Sequence, residues 1–234
     1  MKENDYKTKL NELFINWEND KFHDKSSFIR DGIIDYKLYS ESSPKIMFLL
    51  KESYQNGNSD FKDLAKDLNE SGPYRNWKKN ACKWIYAINE IYKNKYEKPK
   101  FPETIDINKE VWHELLAQIA VVNIKKSKGK KKSNESDLTK YSTNDAQKLK
   151  EQIKIIKPDI IICNSTWSHY QNIYDGEKVE VLKIADDCYK HNNALVIKFF
   201  HFSIPSIKGY SPKDLYDYLC GIIIEGKVFS YFKW

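Results

Sequence analysis

Four short, continuous apolar runs constrain this chain more than any other feature: KIMFLL (45–50), IAVVNI (119–124), DIIICN (159–164) and ALVIKFF (194–200). None shows the apolar–polar alternation of a strand with one wet face, so each fits a strand buried on both faces. Between them, apolar residues recur at helical spacing. Leu10, Leu13, Phe14 and Trp17 form one stripe over 5–18, and Phe61, Leu64 and Leu68 form another from near Ser59. Trp77, Ala81, Trp84, Ile85 and Ile88 mark a helix from Pro73 to Tyr92, and Val111, Leu115 and Leu116 mark one over 106–118. Ala146, Leu149, Ile153 and Ile156 follow Ser142 as an N-cap and end at Pro158, while Ser211-Pro212 opens a last helix running to about Ile224. IIDYKLYSES (33–42) reads as an edge strand, 178–184 as a weaker strand, and the lysine-rich 125–141 as a loop. Strands alternating with helices imply an α/β fold: a three-layer sandwich with a central, mostly parallel four-stranded sheet flanked by helices. The 234 residues suit a single domain, 1–234, with an N-terminal helical extension over 1–43.

Composition removes several classes. A hydrophobic content of 41% with 14% aromatic residues argues against a disordered chain. Cys82, Cys163, Cys188 and Cys220 form no CxxC or CxxH pair, and His23, His113, His169 and His191 have no ligand spacing, so neither a metal site nor a disulfide framework is expected. No apolar leader opens the chain and no run reaches membrane-spanning length, which predicts a cytoplasmic monomer without a membrane partner. The net charge of +6 is uneven, because KKSKGKKK puts six lysines into positions 125–132. That cluster suits phosphate contact and is compatible with a polyanionic partner.

In open parallel sheets, ligands bind beyond the carboxyl ends of the strands. The four ends here are Lys51-Glu52-Ser53-Tyr54, Asn123-Ile124-Lys125, Asn164-Ser165-Thr166 and His201-Phe202-Ser203, each polar directly after an apolar run. Read alone, each has an ordinary explanation: a loop histidine, a turn asparagine, a surface carboxylate paired with Lys51. Together they outline a pocket.

With these ends in order, the chain resembles the uracil-DNA glycosylase superfamily from about residue 44 to 224. KESYQNG stands where that superfamily has a GQDPYH or GEAPG loop, with Glu52 on the glutamate of GEAPG and Tyr54 as a candidate aromatic wall. VVN places Asn123 where the family reads a flipped pyrimidine. HFSIPS matches HPSPLS at His201, Ser203 and Ser206, with Pro205 at the wedge position. The cysteine spacing does not suit the iron–sulfur cluster of the GEAPG branches, so no cofactor is expected.

The resemblance implies a DNA glycosylase-like hydrolase that extrudes a damaged or modified base and cleaves its N-glycosidic bond. Glu52 would orient water and His201 would stabilise the leaving base. Tyr54, Asn123, Ser203 and Ser206 would hold the base, and Lys125, Lys126, Lys130, Lys131, Lys132 and Pro205 would contact the implied partner, DNA or a single-stranded nucleic acid. Asn123 suits base reading because a carboxamide offers both donor and acceptor, and a neutral histidine suits charge growing on a base where water is excluded. Lys51, Tyr54 and Phe202 depart from the family pattern and keep open a non-catalytic nucleic-acid-binding module of the same fold. A third reading, a nucleotide-binding α/β protein, lacks any glycine-rich phosphate loop.

Overall fold

The four apolar runs become four adjacent parallel strands. The computed structural model describes residues 2–54, 62–70, 76–102, 109–129, 132–175, 182–201 and 210–231. In chain order the strands are β1 (Gly32–Ile33), β2 (Ile46–Tyr54), β3 (Ile119–Gly129), β4 (Ile160–Asn164), β5 (Leu182–Ala185), β6 (Cys188–His191) and β7 (Ala194–Phe199). They form one sheet in the order β1-β3-β2-β4-β7-β6-β5. β3, β2, β4 and β7 run parallel, with Phe48 opposite both Val121 and Ile162, and Ile162 opposite Ile197. The sheet is wider than four strands. β5 and β6 form an antiparallel hairpin added to β7, and the two-residue β1 lies antiparallel on β3, giving six strands and a stub.

Helices cover both faces: α1 (Glu3–Glu18), α2 (Tyr36–Glu41), α3 (Leu64–Glu70), α4 (Asn76–Lys93), α5 (Lys109–Ala117), α6 (Glu135–Asn144), α7 (Ala146–Ile156), α8 (Trp167–Ile173) and α9 (Pro212–Tyr231). Strand alternation divides the core in two. Phe48, Val121, Ile162 and Ile197 face Trp84, Ile88, Leu116, Leu219 and Ile223 of α4, α5 and α9. Met47, Leu49, Val122, Ile161 and Val196 face Leu10, Trp17, Leu149, Ile153 and Tyr170 of α1, α7 and α8. The four cysteines are buried free thiols within these cores. Among the described residues no helix is long and apolar enough to cross a membrane.

Several local expectations are corrected. IIDYKLYSES is not an edge strand: after Ile33, Asp35 accepts a hydrogen bond from the Leu38 N–H and caps α2. Ser142 is a buried residue of α6, and Asp145 precedes α7 in the capping position. α9 continues seven residues beyond Ile224, to Tyr231. The lysine-rich segment is not a loop throughout, because β3 runs on to Gly129 and α6 begins at Glu135. The segment 1–43 is no appendage, since Tyr6, Leu10, Leu13, Phe14 and Trp17 of α1 fill one of the two cores.

Candidate functional site

The strand order places the reversal of connection beside β2: the chain leaves β2 for β3 on one side, then returns to β4 on the other. Crevices at such reversals, beyond the carboxyl ends, are the usual ligand sites of open α/β sheets. Here that edge holds polar side chains from all four parallel strands.

Asn123 closes the apolar part of β3 and stands opposite Leu50. Its side chain is 1% exposed; Nδ2 donates to Ser53 Oγ at 2.9 Å, while Oδ1 has no hydrogen-bond partner among the described residues. Asn164 ends β4 in the same way. It is fully buried, and neither Nδ2 nor Oδ1 has a partner among the described residues. Buried carboxamides are normally satisfied, so two with unpartnered atoms among the described residues, on the strands either side of β2, demand a reason.

Next comes Ser165 at φ +56°, a left-handed conformation that turns the chain sharply out of β4. Its N–H donates to the Phe199 carbonyl at 2.8 Å, and its Oγ accepts the His201 N–H at 3.1 Å. This pair of bonds ties the end of β7 to the β4 turn and fixes where His201 begins. The His201 ring is mostly buried, and burial, aided by the nearby Lys51 charge, pushes its pKa down to about 4. The imidazole is therefore neutral at pH 7.

The β2 end is electrostatically tied down. Lys51 pairs with Glu135 at the start of α6, and Glu135 Oε2 lies 3.1 Å from His169 Nε2 on α8. The bond from Lys51, with a further one from His169, holds the Glu135 carboxyl below its usual range. Glu52 is 5% exposed, with Oε2 at 3.4 Å from Lys125 Nζ. Its side chain lies flat against Gly129, where a Cβ would come within 2.6 Å of the Glu52 Cδ. Only glycine lets the two strands close over that carboxylate.

The edge thus brings Glu52 and Asn123 onto adjacent strands, linked through Ser53. His201 shares the edge from β7, with β4 between, about 10 Å from β2 by strand spacing. The expected nucleic-acid contacts fare differently. Lys126 does not reach outward: it is fully buried on the opposite sheet face, bonded to Asp31 at 2.7 and 2.9 Å and to Gln152 at 2.9 Å. Burying an ammonium is tolerable only with such partners, so Lys126 belongs to the core. Lys125 is likewise occupied. Burial works against its charge, but Asp137 at 2.6 Å and Glu52 outweigh this and raise its pKa. Lys132 is exposed. Lys130, Lys131, Ser203, Pro205 and Ser206 lie outside the described residues, as does the side chain of Tyr54, whose backbone closes β2.

Glu135, His169 and the orphaned state of Asn164 are what sequence reasoning missed. For Asn164 a signal existed, because VVN and ICN close their strands alike. Among the described residues no group of three or more His, Cys, Asp or Glu side chains is placed to hold a metal. An open cleft of about 690 Å³ lies elsewhere, between α1, β1 and α3. Two of its charged groups are paired, Arg30 with Glu18 and Asn11, and Asp31 with Lys126. No protein-family model matches the chain, and no curated protein matches it significantly.

Proposed function

We propose that the chain binds an extruded nucleobase at the carboxyl edge of its sheet and, as a DNA glycosylase-like hydrolase, cleaves the N-glycosidic bond. The reading is supported by one observation: His201, held neutral, and Asn123, buried with its carbonyl oxygen unpartnered among the described residues, share that edge. Extruding a nucleotide costs roughly a few kcal/mol in lost stacking and pairing, least at a damaged or mismatched base. Asn123 offsets part of this by taking an N–H of the base on Oδ1, a bond that counts for more in a dry site. As the glycosidic bond stretches, negative charge grows on the base, and a neutral imidazole donates a hydrogen bond to it. Glu52 supplies the carboxylate that orients water and faces the developing positive charge on the sugar. Exposed Lys132, with Lys130 and Lys131, meets phosphates.

The Glu52–Lys125 pair favours a second reading. A carboxylate neutralised by an ammonium at 3.4 Å and packed on Gly129 is poorly placed to activate water, which suits a module that binds a base without cleaving it.

Base release separates the two. Oligonucleotides carrying uracil, hypoxanthine and other modified bases, single- and double-stranded, are incubated with the protein and then treated with alkali. The hydrolase yields strand breaks at one or more of these bases, and His201→Ala and Asn123→Ala lower the rate about 100-fold or more, the scale of losing one transition-state donor. Salt-dependent binding with no breaks across the panel establishes the binding module instead.

A further inference from the structure

Asn164 is the described group with the least reason to be where it is. Its carboxamide carries two N–H donors and an acceptor, it is fully buried, and none of these has a partner among the described residues. The preceding β4 residues are isoleucine and cysteine, and any apolar side chain would fill the position without leaving polar groups unsatisfied. The register explains its use. Leu50 faces Asn123 on β3, and Asn164 lies one residue beyond the last β2–β4 pair, Leu49 with Cys163, which brings it to the level of Leu50. Alternation puts Asn123 with Ile119 and Val121, and Asn164 with Ile160 and Ile162, all on one sheet face. Two carboxamides therefore flank Leu50, two strand spacings or roughly 10 Å apart. That separation matches the width of a single planar ring with a hydrogen bond on either side.

We propose that Asn164 is a second reading residue, which with Asn123 grips opposite flanks of one keto-bearing heterocycle. The assignment rests on the base-binding reading of this edge. It also sets the polarity at Asn123, which has given an N–H to Ser53 and whose Oδ1 has no partner among the described residues, so it takes a ring N–H. Asn164, whose donors and acceptor have no partner among the described residues, supplies the donor that a carbonyl needs.

Calorimetric titration of the full chain with 1-methyluracil, 9-methylhypoxanthine, 1-methylcytosine and 9-methyladenine, whose glycosidic nitrogens are blocked as in a nucleotide, tests this, beside Asn164→Leu and Asn164→Asp. The expected result is binding of 1-methyluracil or 9-methylhypoxanthine in preference to 1-methylcytosine and 9-methyladenine, weakened at least tenfold by both substitutions, with the Asn164→Leu melting temperature equal to or above the parent's. Should Asn164→Leu fail to fold, the Asp variant, nearly identical in shape, decides alone. Equal affinity in parent and variants, or no binding of any of the four bases by the parent, overturns the assignment. Its failure is distinguishable from failure of the hydrolase: base release undiminished by Asn164→Leu removes this role and leaves catalysis standing. Free-base binding that depends on Asn164, without release from DNA, does the reverse.

Discussion

A histidine can stabilise a departing base as a neutral donor only where burial prevents it from taking a second proton, and His201 is so placed. The same burial has a price in acid. In the unfolded chain the imidazole titrates near 6.5, in the folded chain near 4. Between those values the unfolded state binds more protons, so stability falls as pH drops through the window and is unaffected by this group above 6.5. At about 1.4 kcal/mol per pKa unit, the loss at pH 5 is of order 1–2 kcal/mol, reduced by what solvent screens. Urea midpoints at pH 7 and pH 5 are expected to differ by less in His201→Gln than in the parent; an identical difference shows that the ring titrates normally. Gly129 makes a second test at this scale. In Gly129→Ala the new methyl group meets the Glu52 side chain and must push it off Lys125, costing about 1–3 kcal/mol in denaturant unfolding. A variant as stable as the parent shows that the carboxylate moves freely.

Among the elements, β3 is where sequence and structure part most sharply. Its first half was legible because IAVVNI can be nothing but a doubly buried strand, and the same logic found β2, β4 and β7. Its second half, KKSKG, reads as a solvated loop, since nothing nearby in sequence explains a buried lysine. The explanation is distant: Asp31 stands beside β1 and Gln152 on α7, 95 and 26 residues away. Pairings of that kind are invisible to periodicity. The site divides the same way. That Asn123 lies in, and His201 just after, an apolar run forming a parallel strand follows from pattern, whereas the sequestering of Glu52 depends on Gly129 and on Asp137 drawing Lys125 across. Lys126→Met therefore tests the strand and not the proposed nucleic-acid surface. It leaves Asp31 buried without its cation and is expected to cost about 3–5 kcal/mol in chemical denaturation. The salt dependence of the proposed DNA binding is expected to stay unchanged, because an ammonium with no exposed surface releases no counterion. A flattened salt slope with stability intact reverses the assignment.

At the scale of the molecule, the open question is what the first 43 residues contribute, because the strands that carry the edge all come later. Five large side chains of α1 are buried against the sheet, and Trp17 Nε1 lies 3.0 Å from Asp145 Oδ1 at the head of α7. At roughly 1.5–3 kcal/mol for each buried large apolar side chain, α1 alone accounts for an amount comparable with the whole stability of a typical domain, about 5–15 kcal/mol. Removing 1–43 also deletes Asp31, stranding the Lys126 ammonium in the core and leaving the Asn123 N–H without its 2.8 Å acceptor. The site thus rests on a segment that supplies none of its residues: β3 is held from behind by the residue that neutralises Lys126. A fragment spanning 44–234 is expected to show no cooperative thermal transition and no base binding. The Asp31→Asn full-length chain, which keeps α1 but removes the charge, is expected to fold with lowered stability. If the fragment melts cooperatively, α1 only covers a sheet that is already self-sufficient, and the coupling between the two ends of the chain does not exist.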